Sequence, residues 1–189
     1  MIKIGILGDI GSGKSYVAKN FGYPVFNADE EVGKLYQKDR KIFKKLKKVL
    51  PDYIYSFPIN KNEVSKAILV GESNLTKIIK IVHLEIRKKM NIFIKKNINK
   101  KIVILDIPLL LENKINKKND ILVFVQSKKT DIFKRLNKRK NFNLGIYKKF
   151  KKIQLSLDYK KKKSQFVIKN NFTNKSVNKS IKKILKDIL

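Results

Sequence analysis

Gly8-Asp9-Ile10-Gly11-Ser12-Gly13-Lys14-Ser15 fits the pattern G-x-x-x-x-G-K-[ST], and each residue type in it answers a demand of phosphate chemistry. Glycines at 8, 11 and 13 permit backbone shapes and close approaches that a β-carbon would block, so successive N–H groups converge on one phosphate chain. The Lys14 ammonium then faces the β- and γ-phosphates, and the Ser15 hydroxyl ligates the magnesium that bridges them. Ser12 and Tyr16 complete the candidate ATP contacts. The competing reading is a glycine-rich turn that binds nothing; the strand pattern before it and the helix pattern after it argue for the phosphate site.

Two carboxylates follow apolar runs and are candidates for chemistry. Asp29 comes just after Val25-Phe26, where it either accepts a proton from an acceptor hydroxyl or caps the next helix. Asp106 ends the run Ile102-Val103-Ile104-Leu105 and either orients the magnesium water shell or begins a turn. Arg135 and Arg139 are four apart on a stretch expected to be helical from Asp131 to Lys140, so they are expected to share one face. Guanidinium offers phosphate planar, bidentate contacts that ammonium does not, which suits a lid over a nucleotide; an ordinary surface helix is the alternative. His83, the only histidine, lies beside an apolar helical stripe, and a packed or surface role is its default reading.

The elements that must position these groups alternate between strand and helix. Ile2 to Leu7 reads as a first strand and Val17, Ala18 and Phe21 mark a first helix, with Val25-Phe26 a very short second strand. Residues 32–50 read as one or two helices, 63–70 as a short helix stopped by Gly71, and Leu75 to Phe93 as a long amphipathic one. Ile102–Asp106, Ile121–Val125 and Phe166–Ile168 are buried strands, and Val177 to Ile188 has the spacing of a closing helix. This order predicts an α/β fold with a mostly parallel five-stranded sheet.

Composition narrows the class. At 189 residues the chain suits one domain, and the lack of cysteine rules out disulfides and thiolate metal sites. No uncharged apolar stretch approaches the roughly 20 residues a membrane span needs, and the short apolar start does not read as a signal peptide, so a cytoplasmic protein with no membrane partner is expected. The formal net charge of +31 points toward polyanions, yet all but four of the 46 basic residues are lysines, spread along the whole chain in a background rich in isoleucine and asparagine. AT-rich codon usage alone can load a surface with lysine, and no specific nucleic acid is expected.

Taken in order, the motifs resemble the dephospho-CoA kinase family. The glycine loop is similar to Gly8–Ser15, the family's Asp-Ala-Asp to Asn27-Ala28-Asp29, and its His-Pro-x-Ile to His83-Leu84-Glu85-Ile86. The segment Pro108-Leu109-Leu110-Leu111-Glu112 follows its Pro-Leu-Leu-x-Glu, succeeded by Asp120, the Arg135/Arg139 pair, Gln154, Lys160 and Val167-Ile168-Lys169-Asn170. The chain departs from the family at Asp9 for glycine, Tyr16 for threonine, Asn27 for an acid, Leu84 for proline and Gln165 for aspartate.

The resemblance implies a three-layer P-loop kinase that moves the γ-phosphate of ATP to the 3′-hydroxyl of dephospho-CoA with magnesium. It implies one domain over 1–189, with a helical CoA-binding insertion at about 40–100 and a helical lid at about 128–160. Within it, Asp29 is the implied base, and His83, Pro108, Leu109 and Leu110 are implied substrate-region residues. Another small-molecule P-loop kinase, or a basic nucleic-acid-binding protein, are the rival readings, and a monomer is expected with an oligomer left open.

Overall fold

The computed structural model describes all 189 residues, Met1–Leu189. In chain order the elements are β1 (Ile2–Gly8), α1 (Lys14–Asn20), β2 (Val25–Asn27), α2 (Ala28–Lys38) and α3 (Arg40–Val49). Then come α4 (Lys61–Val70), α5 (Glu72–Lys96), β3 (Ile102–Asp106), β4 (Ile121–Gln126) and α6 (Lys129–Asn137). Last are α7 (Leu144–Lys152), α8 (Leu157–Lys163), β5 (Phe166–Lys169) and α9 (Asn174–Ile188).

The chain forms two compact units. The first holds Met1–Asn27, Ile94–Phe142 and Ile153–Leu189, and the second Ala28–Phe93 and Asn143–Lys152. The first unit is an α/β layered structure on a fully parallel sheet of order β2-β3-β1-β4-β5. β1 is central because Ile4 pairs with Ile104 on one side and Ile121 on the other. Alternation along β1 sends Ile4 and Ile6 into a core with Val17, Phe21, Val177 and Ile181, so α1 and α9 cover that face. Gly5, on the opposite face, leaves room for Leu110, whose Cδ2 lies 2.5 Å from where a Gly5 β-carbon would stand. α8 packs on β1 and β4 and is tied to the turn after β3 by a buried Lys160–Glu112 ion pair at 2.7 Å. Glu112 also accepts the Leu155 N–H at 3.1 Å, so one carboxylate grips both the approach to α8 and its second turn.

The second unit is helical, with Leu35, Ile42, Leu46, Ile54, Val64, Ile68, Leu75 and Val82 among its buried side chains. Asp39 separates α2 from α3 and caps α3 by accepting the Lys41 and Ile42 N–H groups at 2.9 and 3.0 Å. Glu63 of α4 is buried and receives the Tyr55 N–H at 3.0 Å and the Ser56 hydroxyl, which fixes the loop between α3 and α4. α7 packs against α4.

Two expectations from sequence need correction. The helix expected over 131–140 runs from Lys129 to Asn137. The Arg139 N–H turns back to the Leu136 carbonyl at 3.0 Å, closing a tight turn, so Arg139 lies beyond the helix and does not share a helical face with Arg135. In addition, α2 begins at Ala28 directly after β2, which puts Asp29 inside its first turn and not at a cap.

Candidate active site

The loop leaves the C-terminal end of the central strand, the position at which open parallel sheets bind ligands. Gly11 and Gly13 have φ of 83° and 91°, the left-handed region that side chains disfavour. Gly13 is doubly required, since a β-carbon there would sit 2.4 Å from Asn170 Nδ2. Gly13 is also the N-cap of α1, and no side chain caps that helix. Lys14, its first residue, donates from Nζ to the carbonyls of Asp9 at 2.7 Å and Gly8 at 3.3 Å, which draws the ammonium back over the loop. Ser15 is exposed beside it.

Ser12 is fully buried, its carbonyl accepting the Ser127 hydroxyl at 3.0 Å and Asn170 Nδ2 at 2.9 Å. The Tyr16 hydroxyl donates to Asn174 Oδ1 in α9. Asp9 turns its carboxylate onto the Ile10 N–H at 2.7 Å and lines a cavity of about 180 Å³ with Phe124, Ser127, Lys129, Leu157 and Lys161. The side chain of this family departure is therefore buried beside β4.

Asp106 ends β3 next to β1, is buried, and accepts Asn27 Nδ2 at 3.0 Å, its partner in strand register. Asn27 thus donates to Asp106, which an aspartate at 27 could not do while ionised. Ser15 and Asp106 offer hydroxyl and carboxylate oxygens, the donors a hard cation prefers. The chain has no cluster of three or more acidic, histidine or cysteine side chains able to cage an ion. Such a sparse donor set fits magnesium, which keeps waters and takes substrate phosphate oxygens.

Arg135 on α6 lies over the Phe172 ring, its Cζ 4.3 Å from the centroid. Phe172 adopts φ 64°, a left-handed backbone in a bulky residue, and its N–H donates to Asn170 Oδ1 at 2.8 Å. Leu109 and Leu110 are buried in the first unit, with Pro108 half-buried. Gln165, another departure, accepts the Leu122 N–H at 2.7 Å and so helps seat β5 beside β4.

In the helical unit Asp29 is exposed in the first turn of α2, and His83 is half-buried on α5. Near Asp29 in sequence, Glu31 ion-pairs with Lys34 at 2.5 Å and Lys89 at 3.5 Å. Partial burial pushes its pKa up, but hydrogen bonding and charge from Lys34 and then Lys89 outweigh this and hold it below the usual carboxylate value. Burial alone pushes the Tyr36 hydroxyl up to about 12.

Sequence reasoning did not single out Ser127 or Phe172, and reached Asn170 only as part of a motif. Nothing in Gln126-Ser127-Lys128 or Asn171-Phe172-Thr173 carries a local signature, because these residues meet the loop only once β4 and β5 lie beside β1.

Comparison by sequence gives one family. The family model described as dephospho-CoA kinase matches residues 2–176. The dephospho-CoA kinase of Wolbachia pipientis wMel is 34% identical over 179 residues, covering 92% of this chain and 91% of the relative. That of Rickettsia bellii is 34% identical over 171 residues, covering 89% and 87%. Among solved structures, TT1252 from Thermus thermophilus superposes with a TM-score of 0.77 at 22% identity, covering 100% of this chain and 98% of that one. The dephospho-CoA kinase from Campylobacter jejuni gives 0.63 at 18% identity, with 98% and 96% covered.

Proposed function

From the premise that the chain belongs to the dephospho-CoA kinase family, we propose how its own residues carry out ATP-dependent phosphorylation of dephospho-CoA to coenzyme A. The observation that carries the assignment of roles is the phosphate loop at the end of central β1, with Lys14 held over it by the Gly8 and Asp9 carbonyls. The loop N–H groups and Lys14 hold the β- and γ-phosphates. Asp29 takes the proton of the 3′-hydroxyl as its oxygen bonds the γ-phosphorus and the bond from that phosphorus to the departing ADP oxygen breaks. Arg135 and Arg139 balance negative charge on the phosphates, Arg135 from its seat on Phe172. Ser15 and Asp106 would hold magnesium, which when bound supplies positive charge to the phosphate oxygens.

The helical unit takes the acceptor, with His83 at the substrate region; it contains 40–93 of the expected insertion and 143–152 of the expected lid. Leu109 and Leu110 act from the core by setting the turn after β3. No helix is long and apolar enough to cross a membrane, and we place the enzyme in the cytoplasm as a monomer without a specific nucleic-acid partner. ADP release measured with dephospho-CoA, AMP, dTMP and shikimate tests the reading. Turnover with dephospho-CoA is expected; turnover with another acceptor and none with dephospho-CoA would overturn it.

A further inference from the structure

A loop that binds phosphate must present N–H groups and turn its carbonyls aside, because an inward carbonyl repels the anion. The glycines on either side of Ser12 do not make that choice, since both are tolerant of either peptide orientation. The choice is made by residues outside the loop. Ser127, just past β4, and Asn170, just past β5, each send one donor to the Ser12 carbonyl, at 3.0 and 2.9 Å. A carbonyl oxygen has two lone pairs, and these two bonds engage both. The peptide is trans, so the Gly13 N–H across the same bond is aimed the opposite way. Ser12 is fully buried and Asn170 nearly so, which removes water as a substitute donor.

We infer that Asn170 and Ser127 are positioning residues that lock the polarity of the phosphate loop by holding the Ser12 carbonyl outward. Asn170 has a second duty at the other end of its amide. Its Oδ1 accepts the Phe172 N–H at 2.8 Å, supporting the left-handed turn that carries the ring beneath Arg135. One side chain thereby fixes both the loop and the platform of an arginine, and the two duties use different atoms.

That division supplies the test. Asn170→Asp keeps Oδ1 for Phe172 and replaces the donor facing Ser12 with a carboxylate oxygen, at nearly constant volume. ADP and inorganic tripolyphosphate affinities are expected to fall at least tenfold, with KM for ATP rising in parallel and KM for dephospho-CoA within twofold of wild type. Ser127→Ala removes the weaker lock and is expected to cost about 3- to 10-fold in ADP affinity, as for one neutral hydrogen bond, with Ser127→Thr recovering it. If Asn170→Asp does not fold, the Ser127→Ala and Ser127→Thr pair decides. The inference is overturned if the folded variants bind ADP and tripolyphosphate within twofold of wild type, or if affinity for dephospho-CoA falls in step with that for ADP. It rests on nucleotide binding at the loop: wild-type protein that fails to bind ADP overturns that premise, whereas normal wild-type binding matched by the variants overturns the lock alone.

Discussion

Where β1 and β4 begin, Lys3 and Asp120 meet in an ion pair at 2.6 Å, and Asp120 also accepts the Lys117 N–H at 2.8 Å. Where β4 and β5 end, Ser127 and Asn170 meet on the carbonyl of Ser12. Both sites pair a buried polar residue, Asp120 or Asn170, with a half-buried one, yet the first joins two side chains to each other and the second spends its donors on the backbone of a third segment. Left-handed backbone gathers at the second edge, where Gly11, Gly13 and Phe172 all stand; away from it the chain adopts it at Gly22, the turn after α1, and at Lys114, in the connection from β3 to β4. The sheet thus keeps its simple ion pair at one edge and gathers three left-handed residues at the other, beside the candidate phosphate site.

The largest effects should come from the groups assigned to the chemistry. Asp29→Asn is expected to cut kcat roughly 10²- to 10⁴-fold while ADP affinity stays within twofold, as for loss of a general base. Unchanged kcat would reduce Asp29 to a first-turn helix carboxylate. Lys14→Ala should raise KM for ATP and lower kcat together, and normal steady-state kinetics would remove Lys14 from the phosphate site.

Gly13→Ala sharpens the contrast between edges, because it damages fold and function at once. The new β-carbon meets Asn170 and is held at φ 91°, so a loss of about 1–3 kcal/mol in urea denaturation is expected, along with weaker ADP binding. Asp120→Asn should do only the first. Lys3 is partly exposed and can turn to water, so the cost should be about 1–2 kcal/mol, with kcat and both KM values unchanged. A kinetic defect in Asp120→Asn would break the proposed division of labour.

The smallest effect concerns acid stability of the helical unit. Burial raises the Glu63 pKa, but the Ser56 hydroxyl, the Tyr55 and Ser56 N–H groups and Lys66 together hold it below 4.5. Its stabilisation is therefore complete above 4.5 and lost as pH falls through the lower folded value. Glu63→Gln should flatten the acid limb of a thermal-midpoint profile below that pH, and an unaltered limb would assign acid lability elsewhere.

What could be read from sequence was local. The phosphate loop is eight consecutive residues, β3 to Leu105 and β4 to Val125 are unbroken apolar runs, and α5 repeats its buried positions at helical spacing. The end of α6 was not legible, because Lys138-Arg139-Lys140 contains no glycine or proline to mark a stop. Nor was the inward turn of Asp9, which depends on a cavity formed with β4, α6 and α8. The lock on Ser12 brings together residues 115 and 158 positions away, which no periodicity records.

The split of the helical unit into 28–93 and 143–152 bears on how the protein is made. A chain emerging from the ribosome has α2, α3, α4 and α5 in hand long before α7, and α4 waits for a partner helix encoded beyond β3 and β4. Gly145 lets that partner approach closely, since a β-carbon there would lie 2.8 Å from Leu69 Cδ2. Vectorial synthesis therefore leaves the exposed apolar side of α4 unmatched until residue 152 has left the exit tunnel, and a fragment cut at 28 and 93 is a helical unit with one helix missing.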